Sequence, residues 1–417
     1  MRRFRLENPR YPTQIEEILS VMANPAPLLE SLELHSLPRK RASILPDNLF
    51  GGVAPRLQAL DLHGWFLSPD SWHILPTLTT LKMDYLSNLN GGPSLFELIK
   101  LLEMAPNIQN LSLSSVHRDT STPIPDEYTV RLHNLRQLRI CDTLSRCTDV
   151  IERLRYPILT QFTLRIHSQS GYDNDHYGGY IASLQRIGGL AAACMAPLCS
   201  LQLRRESYGV YGLEGWTQRY AHLHAPVDVP NMKIIISCFP DPPTAHDPDK
   251  HYFSGSIRAI WEVLPKTNLE CIYLEGTIFS RQIFQEAFGD NPSLRTISIA
   301  DDESEVVEKG IPRKRDTERM GAVLLGHDAL KFRSLQTLVI KEWNFHEYGA
   351  LEATALWHCA STRQANGATL RALHILKSVG FEQLHCKEQA EVTFAIDSIR
   401  EIVSEVYWDV QDKAAAA

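Results

Sequence analysis

One eight-residue frame, Pro55–Leu62 (PRLQALDL), keeps returning along the chain. It recurs as Pro27–Leu34, Pro76–Met83, Pro106–Leu113, Pro157–Leu164 and Pro292–Ile299. Without the proline it recurs as Leu135–Ile140, Leu198–Leu203, Leu269–Leu274, Leu335–Ile340 and Leu370–Ile375, and Met232–Ile236 is a worn twelfth copy. The last apolar pair of each frame is separated by one residue, the period of a strand with one buried face. So short a strand cannot bury that face alone. Eleven clear copies therefore restrict the chain to folds in which successive copies stack on one another.

The shared core, L-x-x-L-x-L, is the strand signature of a leucine-rich repeat. First leucines lie 21 to 30 residues apart as far as Leu159 and 25 to 41 apart beyond it. Such intervals leave room for helices. Ser94 and Glu97 have capping-box spacing ahead of Leu98, Leu101 and Leu102. Further helices are expected at Asp149–Leu154, Tyr180–Ala193, Ser256–Leu264, Arg281–Phe288, Thr317–Leu330 and Glu347–Gln364. Strand, crossover helix and parallel strand make the α/β pattern. The expected fold is an irregular leucine-rich-repeat solenoid, a horseshoe with a parallel sheet on the concave side and helices on the convex side. The Asn or Cys ladder of regular repeats is missing, because the ninth positions hold residues such as Leu37, Trp65 and Val116.

Residues 1–26 are expected to form a capping helix, with Thr13 and Glu16 as its capping box and Ile15, Ile18, Leu19 and Met22 on one face. About twelve repeats would fill 27–380. A closing helix, read over Gln389–Val406, and a tail would fill 381–417.

A net charge of −7 argues against general nucleic-acid binding, which needs a basic excess. The eight cysteines form no C-x-x-C pair and no long apolar span is present, so no membrane partner and a reducing cytoplasmic or nuclear location are expected.

Over PLLESLELHSLPRKRASILPDNLFGGVAPRLQALDL (27–62) and RQLRICDTLSRCTDVIERLRYPILTQFTL (136–164) the chain resembles the leucine-rich-repeat portion of the F-box-like proteins of mushroom-forming fungi. In that family an F-box recruits the adaptor of an SCF-type ubiquitin ligase and the repeats present a substrate. The one string like an F-box opening, Leu45–Phe50 (LPDNLF), ends just before the strand at Leu57 and is read as inter-repeat structure. The resemblance thus implies a non-catalytic protein-interaction scaffold, F-box-less but like a substrate receptor. The alternative is the substrate-recognition subunit of such a ligase, with the adaptor as partner only if an F-box lies upstream.

Side chains between and after the paired leucines face away from the core. They give an acidic start (Glu33, Asp61, with Lys82 beside them), an arginine set on successive frames (Arg139, Arg165, Arg204) and, later, Tyr273. The expected partner is a protein, acidic or phosphorylated, held on this concave face; a merely solvated arginine face is the competing reading. Trp216, in the aromatic insertion Glu206–Val229, is the candidate exposed anchor. His222, His224, His246 and His251 are metal-ligand types without motif spacing, so no metal or cofactor is expected. No nucleophile elbow, P-loop or dinucleotide motif occurs, and His385 and Cys386, being adjacent, point different ways. No catalytic residue is expected.

Overall fold

The computed structural model describes residues 2–7, 18, 20–36, 43–84, 93–115, 125, 128–167, 177–193, 195–207, 210–220, 228–237, 258–260, 262–264, 268–275, 281–300, 331–343 and 345–410. It is a mixed α/β structure that divides into two compact units, Met1–Ala196 and Pro197–Ala417. The expected helix at Thr317–Leu330, the four histidines noted above, and Thr13, Ile15 and Glu16 lie outside the described residues.

In the first unit seven strands pair in parallel and in chain order. They are β1 (Arg3–Glu7), β2 (Ser31–His35), β3 (Ala59–His63), β4 (Thr80–Asp84), β5 (Asn110–Ser114), β6 (Gln137–Thr143) and β7 (Gln161–His167). Six are the frames found in the sequence; β1 is an addition. The chain is extended at Arg3–Glu7, and among the described residues helix is confined to Ile18 and Ser20–Met22.

The recurring proline has a plain structural cause. The N–H of each frame's first apolar residue bonds the carbonyl three residues back: Leu29 to Ala26, Leu57 to Ala54, Leu78 to Leu75 and Ile108 to Ala105. Pro27, Pro55, Pro76 and Pro106 then occupy the second position of a four-residue turn, where a fixed φ suits the bend. The turn delivers its leucine inward and starts the strand. From there alternation sends Leu32 and Leu34, Leu60 and Leu62, Leu81 and Met83, and Leu111 and Leu113 into the core, each at most 2% exposed.

The missing asparagine ladder is replaced by main chain. Glu30 oxygen accepts from both Gln58 and Ala59 nitrogens, Gln58 oxygen from Thr79 and Thr80, and Thr79 oxygen from Gln109 and Asn110. Past the strands, Ser36 N–H donates to His63 oxygen, Gly64 to Asp84 and Ser115 to Cys141. Gly64 and Ser115 stand two residues beyond the last inward residue with φ of 72° and 49°. At Gly64 a Cβ would lie 3.3 Å from the Ser36 Cβ, which suits glycine there.

Helix α1 (Leu95–Glu103) starts at the expected capping box, with Ser94 Oγ accepting from Glu97 N–H and Ser94 N–H donating to the Glu97 carboxylate. Helix α2 (Leu144–Arg153) begins five residues before its expected start and packs on β6 and β7, and α3 (Tyr177–Ala193) follows β7. Leu45, Leu49 and Phe50 are buried, and Leu45 N–H bonds Phe66 oxygen at 2.8 Å. The F-box-like string thus lies between β2 and β3 with its apolar side chains in the core and Asp47 and Asn48 exposed.

The second unit departs from chain order. Its strands are β8 (Ser200–Ser207), β9 (Val210–Trp216), β10 (Met232–Ser237), β11 (Cys271–Glu275), β12 (Thr296–Ala300), β13 (Thr337–Lys341), β14 (Ala372–Leu376) and β15 (Glu405–Trp408), in the spatial order β10-β9-β8-β11-β12-β13-β14-β15. Strands β11 to β15 run parallel to one another and β11 to β8, whereas β9 is antiparallel to both β8 and β10. The expected aromatic insertion therefore contains a strand, and the worn copy at Met232 pairs with it rather than with the next frame. Helices α4 (Arg281–Phe288) and α5 (Phe345–Ala365) lie where expected. The expected closing helix is shorter: α6 (Cys386–Arg400) stops at Arg400 and the chain returns as β15. Among the described residues no helix is long and apolar enough to cross a membrane.

Candidate functional site

Because β1 to β7 pair without a register slip, their outward residues stand in rows across the first unit. The middle row reads Arg5, Glu33, Asp61, Lys82, Ser112, Arg139, Thr163. The next reads Glu7, His35, His63, Asp84, Ser114, Cys141, Arg165. These two rows carry most of the charge of the sheet face.

The acidic end is closed on itself. Arg5 Nε lies 3.5 Å from a Glu33 oxygen, Lys82 Nζ 3.4 Å and His35 Nε2 3.7 Å from Asp61, and His63 Nδ1 3.2 Å from Asp84. Expected site residues Glu33, Asp61 and Lys82 are thus present on the face but already have partners.

The basic end is not closed. Arg139 is exposed and Arg165 half-buried, and neither has a carboxylate partner among the described residues. The Nε of Arg165 is shielded from solvent and has no hydrogen-bond partner among the described residues. Arg139 stands opposite Thr163, one outward position from Arg165. With strands about 4.8 Å apart, that diagonal is about 8 Å, within reach of two arginine side chains meeting one anion.

Beside Arg165, on the side away from Arg139, lies a contact that sequence reasoning missed. Cys141 Sγ is 3.1 Å from His167 Nε2. Burial pushes the thiol pKa up, against the opposing pull of the Ser114 hydrogen bond and of Arg165 and Arg139. Burial and Arg165 push the imidazole of His167 down. The two are a neutral thiol–imidazole pair at neutral pH, not an ionised one. The available signal was Phe162, Leu164 and Ile166, whose alternation carries β7 through His167.

Three expected site residues fall elsewhere. Arg204 belongs to the second unit, where β9 and β11 occupy both edges of its strand. Its Nη2 is 3.2 Å from the buried carboxylate of Glu214, which also holds Lys233 Nζ at 2.7 Å. It is a structural ion pair, so the three-arginine row reduces to Arg139 and Arg165. Tyr273 is 2% exposed and its hydroxyl donates to Tyr220 oxygen at 2.8 Å, because the segment at Tyr220 covers the outward side of β11. Burial raises the pKa of that phenol well beyond the ordinary range. Trp216 is also 2% exposed, with Nε1 donating to Asp228 oxygen at 2.9 Å. It is a core residue and not an anchor.

Among the described residues no group of three or more His, Cys, Asp or Glu side chains is placed to hold a metal ion. No protein-family model matches the chain, and no curated protein matches it at a significant level.

Proposed function

We propose that the chain is a non-catalytic interaction module in which each unit is a leucine-rich-repeat array, and that the first unit binds an acidic or phosphorylated protein segment through Arg139 and Arg165. One contrast carries this reading: every carboxylate in the two charged rows from Glu33 to Asp84 has a cationic or imidazole neighbour, while the two guanidiniums at the far end have no carboxylate partner among the described residues. A half-desolvated guanidinium with an unused donor gains from a bound oxyanion, and two on neighbouring strands can grip one from both sides. Rows crossing seven strands span about 29 Å, a length suited to an extended polypeptide.

The neutral residues between the two ends, Ser112 and Ser114, would let such a segment approach without displacing an ion pair. Affinity capture from the source cell, run in parallel with wild-type chain and an Arg139→Glu/Arg165→Glu variant, identifies candidates lost with the arginines. Titrations of a recovered partner at two salt concentrations then test the contact. Each single Arg→Glu change should weaken binding mainly through association rate, and the loss should shrink as salt rises. A partner bound equally by wild type and the Arg139→Ala/Arg165→Ala variant would place the binding surface elsewhere.

A further inference from the structure

The inward side of the first unit is incompletely closed at its first strand. Phe4 and Leu6 of β1 occupy the positions that Leu32 and Leu34 occupy in β2, yet they are only half-buried where those leucines are 0% exposed. Beside Phe4 lies an open apolar recess of about 580 Å³, lined by residues that include Val21, Met22, Pro25, Leu28 and Phe50. Val21 and Leu28 are 66% and 52% exposed. Among the described residues β1 pairs with β2 alone, and its other edge meets no main-chain partner among them. An exposed edge next to exposed apolar side chains is the usual setting for strand addition.

The direction of the free groups can be read from the ladder. Arg2 oxygen accepts from Glu30 and Ser31 nitrogens at 2.7 and 3.1 Å, so Arg2 turns its backbone toward β2. Alternation gives Phe4 and Leu6 the same orientation and turns the N–H and C=O of Arg3, Arg5 and Glu7 to the open edge. The strand sequence is RFRLE. Set antiparallel to a second RFRLE about a two-fold axis through Arg5, Arg3 meets Glu7 of the second copy, and Phe4 meets Leu6 of the second copy. All three outward residues then form mutual hydrogen-bonded pairs, the two Arg–Glu contacts are attractive, and the half-buried side chains cover each other. The central Arg5–Arg5 contact is repulsive, but each Arg5 is already paired with Glu7 and Glu33 of its own chain.

We propose that the chain forms a two-fold dimer by antiparallel pairing of β1 with β1 of a second copy. Self-complementary sequence, outward hydrogen-bonding parity and unburied inward side chains all coincide on five residues, and an isologous contact uses each of them twice. This surface is separate from the arginine pair, so either proposal can fail without the other.

Sedimentation of the full chain over a concentration series is the first test, and a chain that stays monomeric at about 100 μM overturns the proposal. Arg5→Pro removes an N–H that the β1–β2 ladder does not use and should abolish the dimer with an unchanged far-UV spectrum. Arg3→Glu places like charges opposite each other twice per dimer and should weaken association by about tenfold. Adding Glu7→Arg should restore it, so the swap decides the matter even if the proline variant unfolds. A dimer indifferent to Arg3→Glu, or one not rescued by Arg3→Glu/Glu7→Arg, places the contact elsewhere. Wild-type monomer whose β1 amides become protected from exchange only on adding a different protein would assign the edge to that partner and overturn the two-fold dimer.

Discussion

Replacing Leu60 with Ala measures whether the inward and outward sides of the first unit are assigned correctly. Leu60 is 0% exposed, and so are its register neighbours Leu32 and Leu81 on either side. Truncation leaves a cavity with no path to solvent and little chance of collapse, which sets the cost toward the upper part of about 2–5 kcal/mol. The next residue, Asp61, faces the other way. Its side chain is 27% exposed and contacts Lys82 and His35, so Asp61→Ala should cost roughly 0.2–1 kcal/mol from weakly screened pairs. Ser112→Ala, in the same row and without a hydrogen-bond partner among the described residues, should cost within about 0.5 kcal/mol. Urea melts of the three variants give the order directly, and hydrogen exchange of peptides covering residues 55–84 shows whether the loss is local. If Asp61→Ala proved as costly as Leu60→Ala, the strand would be displaced by one residue, a slip that exchanges the two faces.

Two further outcomes follow from buried polar groups. Arg363, 3% exposed, donates to Phe332 and Lys331 oxygens at 2.8 and 3.3 Å and so closes the turn before β13; Arg363→Met should cost about 2–3 kcal/mol in the same melts, and Arg363→Lys should not recover it, since one ammonium cannot reproduce the planar fork. The thiols of Cys141, Cys147 and Cys271 are all raised above the ordinary value of 9.0, chiefly by burial, so the folded state keeps protons that the unfolded state loses; stability should be fully present below about pH 9 and fall as pH rises beyond it, and Cys147→Ala should flatten that fall. A melting temperature independent of pH between 8 and 10 would contradict the assigned burial.

Strand positions were legible because the frame encodes three things at once: a turn at the proline, a leucine delivered inward, and an alternation that fixes the face. All eleven clear frames became strands, including the five that lack the proline. Strands without the frame were not legible. RFRLE alternates correctly at β1 but lacks the leading turn, and β9 (VYGLEGW) mixes glycine with aromatics in the manner of a loop. The partly mistaken site has a different cause. Alternation states which side of a strand a residue is on, never what lies over that side. Arg139 is exposed and Arg165 half-buried, whereas the segment at Tyr220 passes over Tyr273 and the hairpin supplies Glu214 to Arg204. Trp216 failed for the same reason, as its strand carries it into the core. The Cys141–His167 contact needed the true end of β7, which reaches His167, the first residue of a polar, glycine-containing string.

The replacement of an asparagine ladder by main-chain bonds has a consequence for how such a chain can change. Where a side chain closes each turn, that position is committed and a substitution there loosens the frame. Here the oxygens of Glu30, Gln58 and Thr79 and the N–H groups of Ser36, Gly64 and Ser115 do most of the joining, and side chains add bonds at the turns: Thr79 Oγ1 to Gln58 oxygen, Asn107 Nδ2 to Pro76 oxygen and Asn134 Nδ2 to Pro106 oxygen. None of these side chains stands in the two charged rows. The outward rows can therefore drift or be rewritten independently of the leucines beneath them, giving the same scaffold a different surface in each descendant. A library varied at Ser112, Ser114, Arg139, Thr163 and Arg165 should yield mostly folded chains with altered binding preferences.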